Sequence, residues 1–305
     1  MEPLLYLAAR TLVALLQALP LTWVARLGRL GGALAYRLDA RHRRVVLRNL
    51  TMCFGREKTA AELRALAREN FRRIGENYAS SIKTAALDFA ALRSRVEFAG
   101  VEKIPSAPAQ PGRNLLVAIG HFGNFELYAR FGEMSAGYQC ATTYRALPQV
   151  SLNRLLQQVR GRSGCLYFER RTEGRALKAA LQRGGLILGF LADQHAGQNG
   201  YRLPFLGHEG STSTGPAVFA LRYGCPLFTA ICYRVGLARW RIEVGDEIPT
   251  REHGRARPPL DIMGDIHRAF EVAVRRDPAN WFWVHNRWKT PGREPRGHPA
   301  AALEE

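Results

Sequence analysis

Leu115–Ile119 is the stretch that most restricts how this chain folds. LLVAI is an unbroken apolar run containing Val and Ile, the composition of a strand covered on both faces by helices. Gly120 ends the run, and His121, Phe122, Gly123, Asn124, Phe125 and Glu126 follow. Phe125, Leu127, Tyr128 and Phe131 then fall at helical spacing. A histidine is therefore expected at the carboxyl end of a buried strand and at the mouth of a helix, where open α/β sheets hold their ligands.

That position suits a base. The positive end of a helix favours neutral imidazole, leaving one ring nitrogen free to accept a proton near pH 7. Glu126, five residues on, is placed to reach back and hold the other nitrogen, as a carboxylate does in a triad. Gly123 and Asn124 offer backbone N–H groups near the helix start, suited to a tetrahedral oxyanion. No Ser, Cys or Thr lies between Leu115 and Met134, so the attacking hydroxyl has to come from a substrate. The plainer alternative is a helix-capping histidine beside a solvated glutamate.

The rest of the chain alternates in the same manner. Strands are expected at Tyr138–Thr143, Cys165–Phe168, Leu186–Leu191, Pro226–Tyr233 and Arg239–Val244, the last two as a possible hairpin. Leu152, Leu155, Leu156 and Val159 mark one intervening helix and Glu173–Gln182 another; Thr214 opens a third with Pro216 in its first turn, and Ile262 to Val274 trace a last amphipathic one. This predicts an α/β fold: a mixed, mostly parallel sheet flanked by helices over residues 91–289. Asp193 ends the strand Leu186–Leu191 much as His121 ends its own, so the two can share a cleft. Its other reading is a turn residue. His195 has no metal-ligand spacing and reads as a loop residue.

Residues 1–90 are predicted to be helical, with a membrane-associating start. Leu4–Ala25 is the most apolar N-terminal stretch, yet its uncharged part, Thr11–Ala25, is 15 residues, about 22 Å of helix against a hydrocarbon layer of roughly 30 Å. A helix lying in the membrane face is expected, with Tyr6 and Trp23 at headgroup level. Arg41, Arg43, Arg44 and Arg48 follow on a second helix and suit an anionic lipid surface. Thr59 and Glu62 form a capping-box signature for a helix running to Thr84. Ser106–Gly112 reads as a connecting loop and residues 290–305 as a disordered tail. Trp281, Trp283 and Trp288 with Arg287 and Lys289 make an aromatic–basic end segment, read either as core or as interfacial surface.

Composition narrows the partners. The 44 Lys+Arg against 26 Asp+Glu give a net charge of +18, which attracts polyanions such as nucleic acid, anionic membrane, phosphorylated lipid or an acidic carrier protein. No zinc spacing, helix-turn-helix or stacking-sheet signature favours nucleic acid. Cys53, Cys140, Cys165, Cys225 and Cys232 form no C-x-x-C pair and read as free thiols of a reducing compartment.

HFGNFE resembles the H-x4-D/E box of glycerolipid acyltransferases, in the form of the bacterial lipid A late-acyltransferase (lauroyl/myristoyl) branch. Arg43–Phe54, Leu191–Gly197, Leu203–Gly207, Thr214–Leu221 and Trp283–Lys289 match that branch in order. The resemblance implies transfer of a fatty acyl chain from acyl carrier protein or coenzyme A to a hydroxyl of a phosphorylated glycolipid. The alternatives are a lysophospholipid or phosphatidylinositol mannoside acceptor. It implies no cofactor and no metal, and a place on the cytoplasmic face of the bacterial inner membrane, peripheral or with one N-terminal anchor. By the same resemblance His121 is the base, with Glu126 its first expected partner and Asp193 its second. Arg145 matches an arginine credited with binding the acceptor phosphate or steadying the oxyanion. Arg170 and Arg171 can extend that site, or serve only as surface charge.

Overall fold

The computed structural model describes residues 2–105, 112–133 and 137–289. The expected loop at 106–112, save Gly112, and the expected tail from 290 lie outside the described residues. Four helices come first: α1 (Glu2–Ala18), α2 (Leu21–Leu38), α3 (Ala40–Phe54) and α4 (Ala60–Thr84), then the short α5 (Phe89–Arg93). Pro20 separates α1 from α2, because a proline here has no N–H to continue the first helix. The capping box forms as expected: the Thr59 hydroxyl accepts from Glu62 N–H, and Thr59 N–H donates to the Glu62 carboxylate.

The sheet strands are β1 (Val96–Ala99), β2 (Leu115–Ile119), β3 (Gln139–Tyr144), β4 (Leu166–Glu169) and β5 (Leu186–Leu191). Between them lie α6 (Val150–Gly161) and α7 (Gly174–Arg183). A hairpin of β6 (Tyr201–Phe205) and β7 (His208–Thr212) leads to α8 (Gly215–Tyr223), β8 (Leu227–Gly236) and β9 (Arg239–Val244). A two-stranded ribbon, β10 (Arg251–Glu252) and β11 (Arg255–Ala256), precedes α9 (Pro259–Arg276). Seven strands pair in the order β1-β9-β8-β2-β5-β3-β4, all parallel except β8 with β9. The expected mixed, mostly parallel sheet is the one found. Thr214 sits before α8 but its side chain does not cap it; the Ser213 hydroxyl accepts from Gly215 N–H instead.

β2 is central, and every residue in it is buried. Its period of two sorts the core into two layers. Leu116 and Ala118 join Leu50, Phe71, Ile266 and Phe270, so α3, α4 and α9 pack on one face. Leu115, Val117 and Ile119 join Tyr128, Phe228 and Trp240 on the other. The N-terminal helices thus share the core of the sheet. α2 lies against α4 through glycines: a Cβ on Gly32 would stand 2.1 Å from Phe71 O, and one on Gly75 2.1 Å from Gly28 O. That close approach lets Arg29 reach Glu69 and the fully buried Glu76, which Arg234 and Ala238 N–H also satisfy.

No residue of α1 is buried. Leu4, Leu7, Leu30 and Leu38 are 60–74 % exposed, and Trp23 is 55 % exposed. No helix among the described residues is long and apolar enough to cross a membrane. Of the basic cluster on α3, Arg41 and Arg44 are exposed. Arg43 instead donates to the carbonyls of Tyr36 and Arg37, and Arg48 to the Asn286 side chain.

Candidate active site

β2 and β5 are neighbours, and their register pairs Ile119 with Leu191. Both chains then run two residues past that pair, to His121 and Asp193, with Ala192 N–H still donating to Ile119 O. Asp193 Oδ1 lies 2.8 Å from His121 Nδ1, and Oδ2 accepts from His121 N–H and the Trp281 indole N–H, each at 2.8 Å. A carboxylate only accepts, so Nδ1 carries the proton and Nε2 is the free nitrogen. Burial alone pushes the Asp193 carboxyl up; the His121 charge and the three hydrogen bonds outweigh it and hold the group at about 2. Phe125 and Phe282 flank the imidazole, with ring centroids at 4.8 and 5.8 Å.

The expected order of partners is thereby reversed. Glu126 does not reach His121. Phe125–Glu133 is a 3₁₀ helix, and the Glu126 carboxylate pairs with Arg160 of α6 through both oxygens. The Gly123 and Asn124 expectation is also corrected. Gly123 N–H donates to Asn280 O at 3.0 Å, and its φ of +51° with Cys232 O beside it leaves no room for a side chain. Asn124 is buried with its amide directed to Thr84, and neither residue lines the cleft described next. Gly123 N–H and the Asn124 carbonyl, which accepts from Leu127 N–H, are used to build the turn.

His121 opens on a cleft of about 1090 Å³, just above the roughly 300–1,000 Å³ usual for small-molecule sites. Its walls are mainly apolar: Leu12 and Leu16 from α1, Ile82 from α4, Val117 and Ile119 from β2, Ile187 from β5. Arg145 and Arg170, one residue past β3 and β4, are exposed and line the same cleft. Arg170 N–H donates to Tyr144 O, which keeps the two strand ends side by side. A groove of about 820 Å³ adjoins it, lined by Arg145, Asn153, Arg171 and Thr172. Among the described residues the guanidinium groups of Arg145, Arg170 and Arg171 have no carboxylate within ion-pair distance, although Arg171 N–H donates to the Glu169 carboxylate. No group of three His, Cys, Asp or Glu side chains among those residues converges to hold a metal.

Residues 4–290 match the family described as "Bacterial lipid A biosynthesis acyltransferase". The chain belongs to that family. It is similar to the "Lipid A biosynthesis acyltransferase" of Shigella flexneri, at 25% identity over 278 residues, covering 89% of this chain and 87% of that protein. It is also similar to the "Lipid A biosynthesis lauroyltransferase" of Escherichia coli (strain K12), at 27% over 290 residues, covering 92% and 89%. The protein is an acyltransferase.

In this acyltransferase the aromatic–basic end segment is core through Trp281, Trp283 and Arg287, with Trp288 half-buried and Lys289 exposed. Trp281, Trp283 and Arg287 are fully buried or nearly so. Asn70 of α4 donates to the carbonyls of Ala279 and Trp281, and Asn49 of α3 to those of Trp283 and His285. Trp281 as a partner of Asp193 was not foreseen. An indole reads as apolar bulk until a carboxylate is seen against its N–H. His195, expected in a loop, lines the cleft; its backbone N–H donates to His285 Nε2, while its own Nδ1 accepts from Gly197 N–H. The β6–β7 hairpin was likewise missed. Its two-residue turn puts Leu206 at φ +50° and Gly207 at +77°, and the glycine was the only local signal of it.

Proposed function

We propose that this acyltransferase moves a fatty acyl chain from a thioester, on acyl carrier protein or coenzyme A, to a hydroxyl of a lipid A precursor or related phosphorylated glycolipid. The observation that carries this reading is the His121–Asp193 pair at a large apolar cleft rimmed by unpaired arginines. His121 Nε2 takes the acceptor's proton as its oxygen attacks the thioester carbonyl. Asp193 stabilises the imidazolium, the C–S bond breaks, and the departing thiolate recovers the proton. The cleft takes the acyl chain. Arg145 and Arg170 take the acceptor phosphate, Arg145 through the forked geometry that a lysine lacks. With purified protein, acyl thioester and phosphorylated glycolipid, mass spectrometry is expected to find the acceptor heavier by one acyl group. Release of free fatty acid alone, with the acceptor unchanged, would make the enzyme a hydrolase.

The same reading places the protein on the cytoplasmic face of the bacterial inner membrane, held peripherally. The exposed leucines of α1 and α2 support it, with Trp23 and Arg26 stacked at 5.1 Å among them. Binding to anionic vesicles is expected to weaken but persist as salt is raised. Charge is screened over about 8 Å at physiological salt, whereas apolar insertion is not. Complete release by salt in a flotation assay would rule out insertion of that face.

A further inference from the structure

Arg287 is an unusual cation. It is fully buried, and among the described residues no carboxylate lies within ion-pair distance of it. Nη1 donates to Gln194 O at 2.8 Å and Ser211 O at 2.6 Å, and Nη2 to Thr212 Oγ1 at 2.8 Å. Nη2 also lies 3.3 Å from His267 Nε2, and Nε is buried without a partner. His267 must accept there, since its Nδ1–H is given to Pro204 O. Burying such a cation without a partner anion is costly. Burial pulls the guanidinium down to about 10, and the carboxylate whose charge opposes this is Asp193. Gln194, whose carbonyl Arg287 holds, is the residue after Asp193.

Trp281 lies six residues earlier in the same segment and bonds Asp193 directly. Its backbone forms a bridge with Phe122, the residue after His121. The segment thus touches both strand ends that carry the pair.

We propose that Trp281 and Arg287 are positioning residues of this acyltransferase: together they hold the Asp193 carboxylate against the His121 ring and offset part of its charge. The offset matters because a buried carboxylate with no other donor or cation near it would bind the imidazolium too tightly for the ring to act as a base near neutral pH. The inference rests on His121 being that base.

The other titratable groups around the ring are displaced from their ordinary values or paired. The Asp193 carboxyl is held at about 2 and is ionised at neutral pH, and burial holds His285 down at about 4. Burial also lowers His195, and Glu126 is tied to Arg160. Tyr78, which packs on Phe125 and Phe282, is pushed up to about 12 by burial.

The test is the pH profile of kcat and kcat/KM for the full-length enzyme and its variants. Trp281→Phe keeps an aromatic ring, a smaller one, and removes the N–H. It is expected to lower kcat about ten-fold with little change in KM, and to move the acid limb up by roughly half a pH unit. Arg287→Gln removes the positive charge and is expected to move the limb the same way. Arg287→Lys keeps the charge but not the fork, so the limb should return to the wild-type position while kcat stays reduced. A structural role alone would lower the rate at every pH and leave the limb in place, and that result would overturn the proposal. If Arg287→Gln does not fold, Trp281→Phe decides the matter. His121→Ala, run in parallel, separates the two readings. An active His121→Ala enzyme would sink the base assignment, and this inference with it. An inactive one, with unmoved limbs in Trp281→Phe, would overturn only the inference.

Discussion

His121→Ala is expected to remain folded yet to lose acyl transfer by about two to four orders of magnitude, the range for a positioned general base. The fold should survive because the imidazole lies at a strand end, flanked by Phe125 and Phe282, and supports no core layer. Its removal does not strand the buried Asp193 carboxylate, which keeps the His121 backbone N–H and the Trp281 indole as donors. The loss of one hydrogen bond to a charged group should cost about 1–3 kcal/mol of stability. Circular dichroism and a denaturant titration check the fold, and initial rates with acyl thioester and glycolipid check the chemistry. Transfer at the wild-type rate would remove His121 from the mechanism.

Asp193→Asn is expected to cost about three to four orders of magnitude in kcat, by analogy with loss of the orienting carboxylate in a serine-protease triad. Three donors converge on this carboxylate, and an amide offers one acceptor oxygen and an NH₂. If that NH₂ faces Nδ1, the ring must carry its proton on Nε2 and cannot accept another. If it faces the backbone and indole N–H groups, two donors oppose it. Stability should fall as well, because the site is fully buried. Glu126→Gln is the internal comparison. Its side chain bonds Arg160 rather than His121, and an amide retains part of that contact, so a loss below about ten-fold is expected. The ratio of kcat/KM between the two variants is the measurement. A larger loss for Glu126→Gln would return the orienting role to Glu126.

Much of the fold was legible because it is written in local spacing. The bounds of Leu186–Leu191 and Arg239–Val244 agree with β5 and β9 residue for residue, since apolar runs and alternation are properties of neighbouring residues. The Thr59–Glu62 box needed only four consecutive positions. The positions of His121 and Asp193 just past two buried strands were equally readable, and so was the family, from blocks spread through residues 43–289. β1 and the β6–β7 hairpin were not, being short and lacking a long apolar run.

By itself, then, the sequence determined the class of fold, the strands that end in polar residues, and the family to which the chain belongs. Tertiary structure alone decided which polar residues meet. Spacing placed Glu126 five residues from His121 and Asp193 72 residues away, which favoured the nearer carboxylate. Strand order reversed that choice. β5 inserts between β2 and β3, so Asp193 stands beside His121, while α6 brings Arg160 to take Glu126. Which parallel strands become neighbours depends on how helices cover the two faces of the whole sheet, a non-local condition with no signature at either strand. The same holds for Trp281 and Arg287. Their partners lie just past β5 and on β7, and only the docking of the end segment on α3 and α4 carries them there.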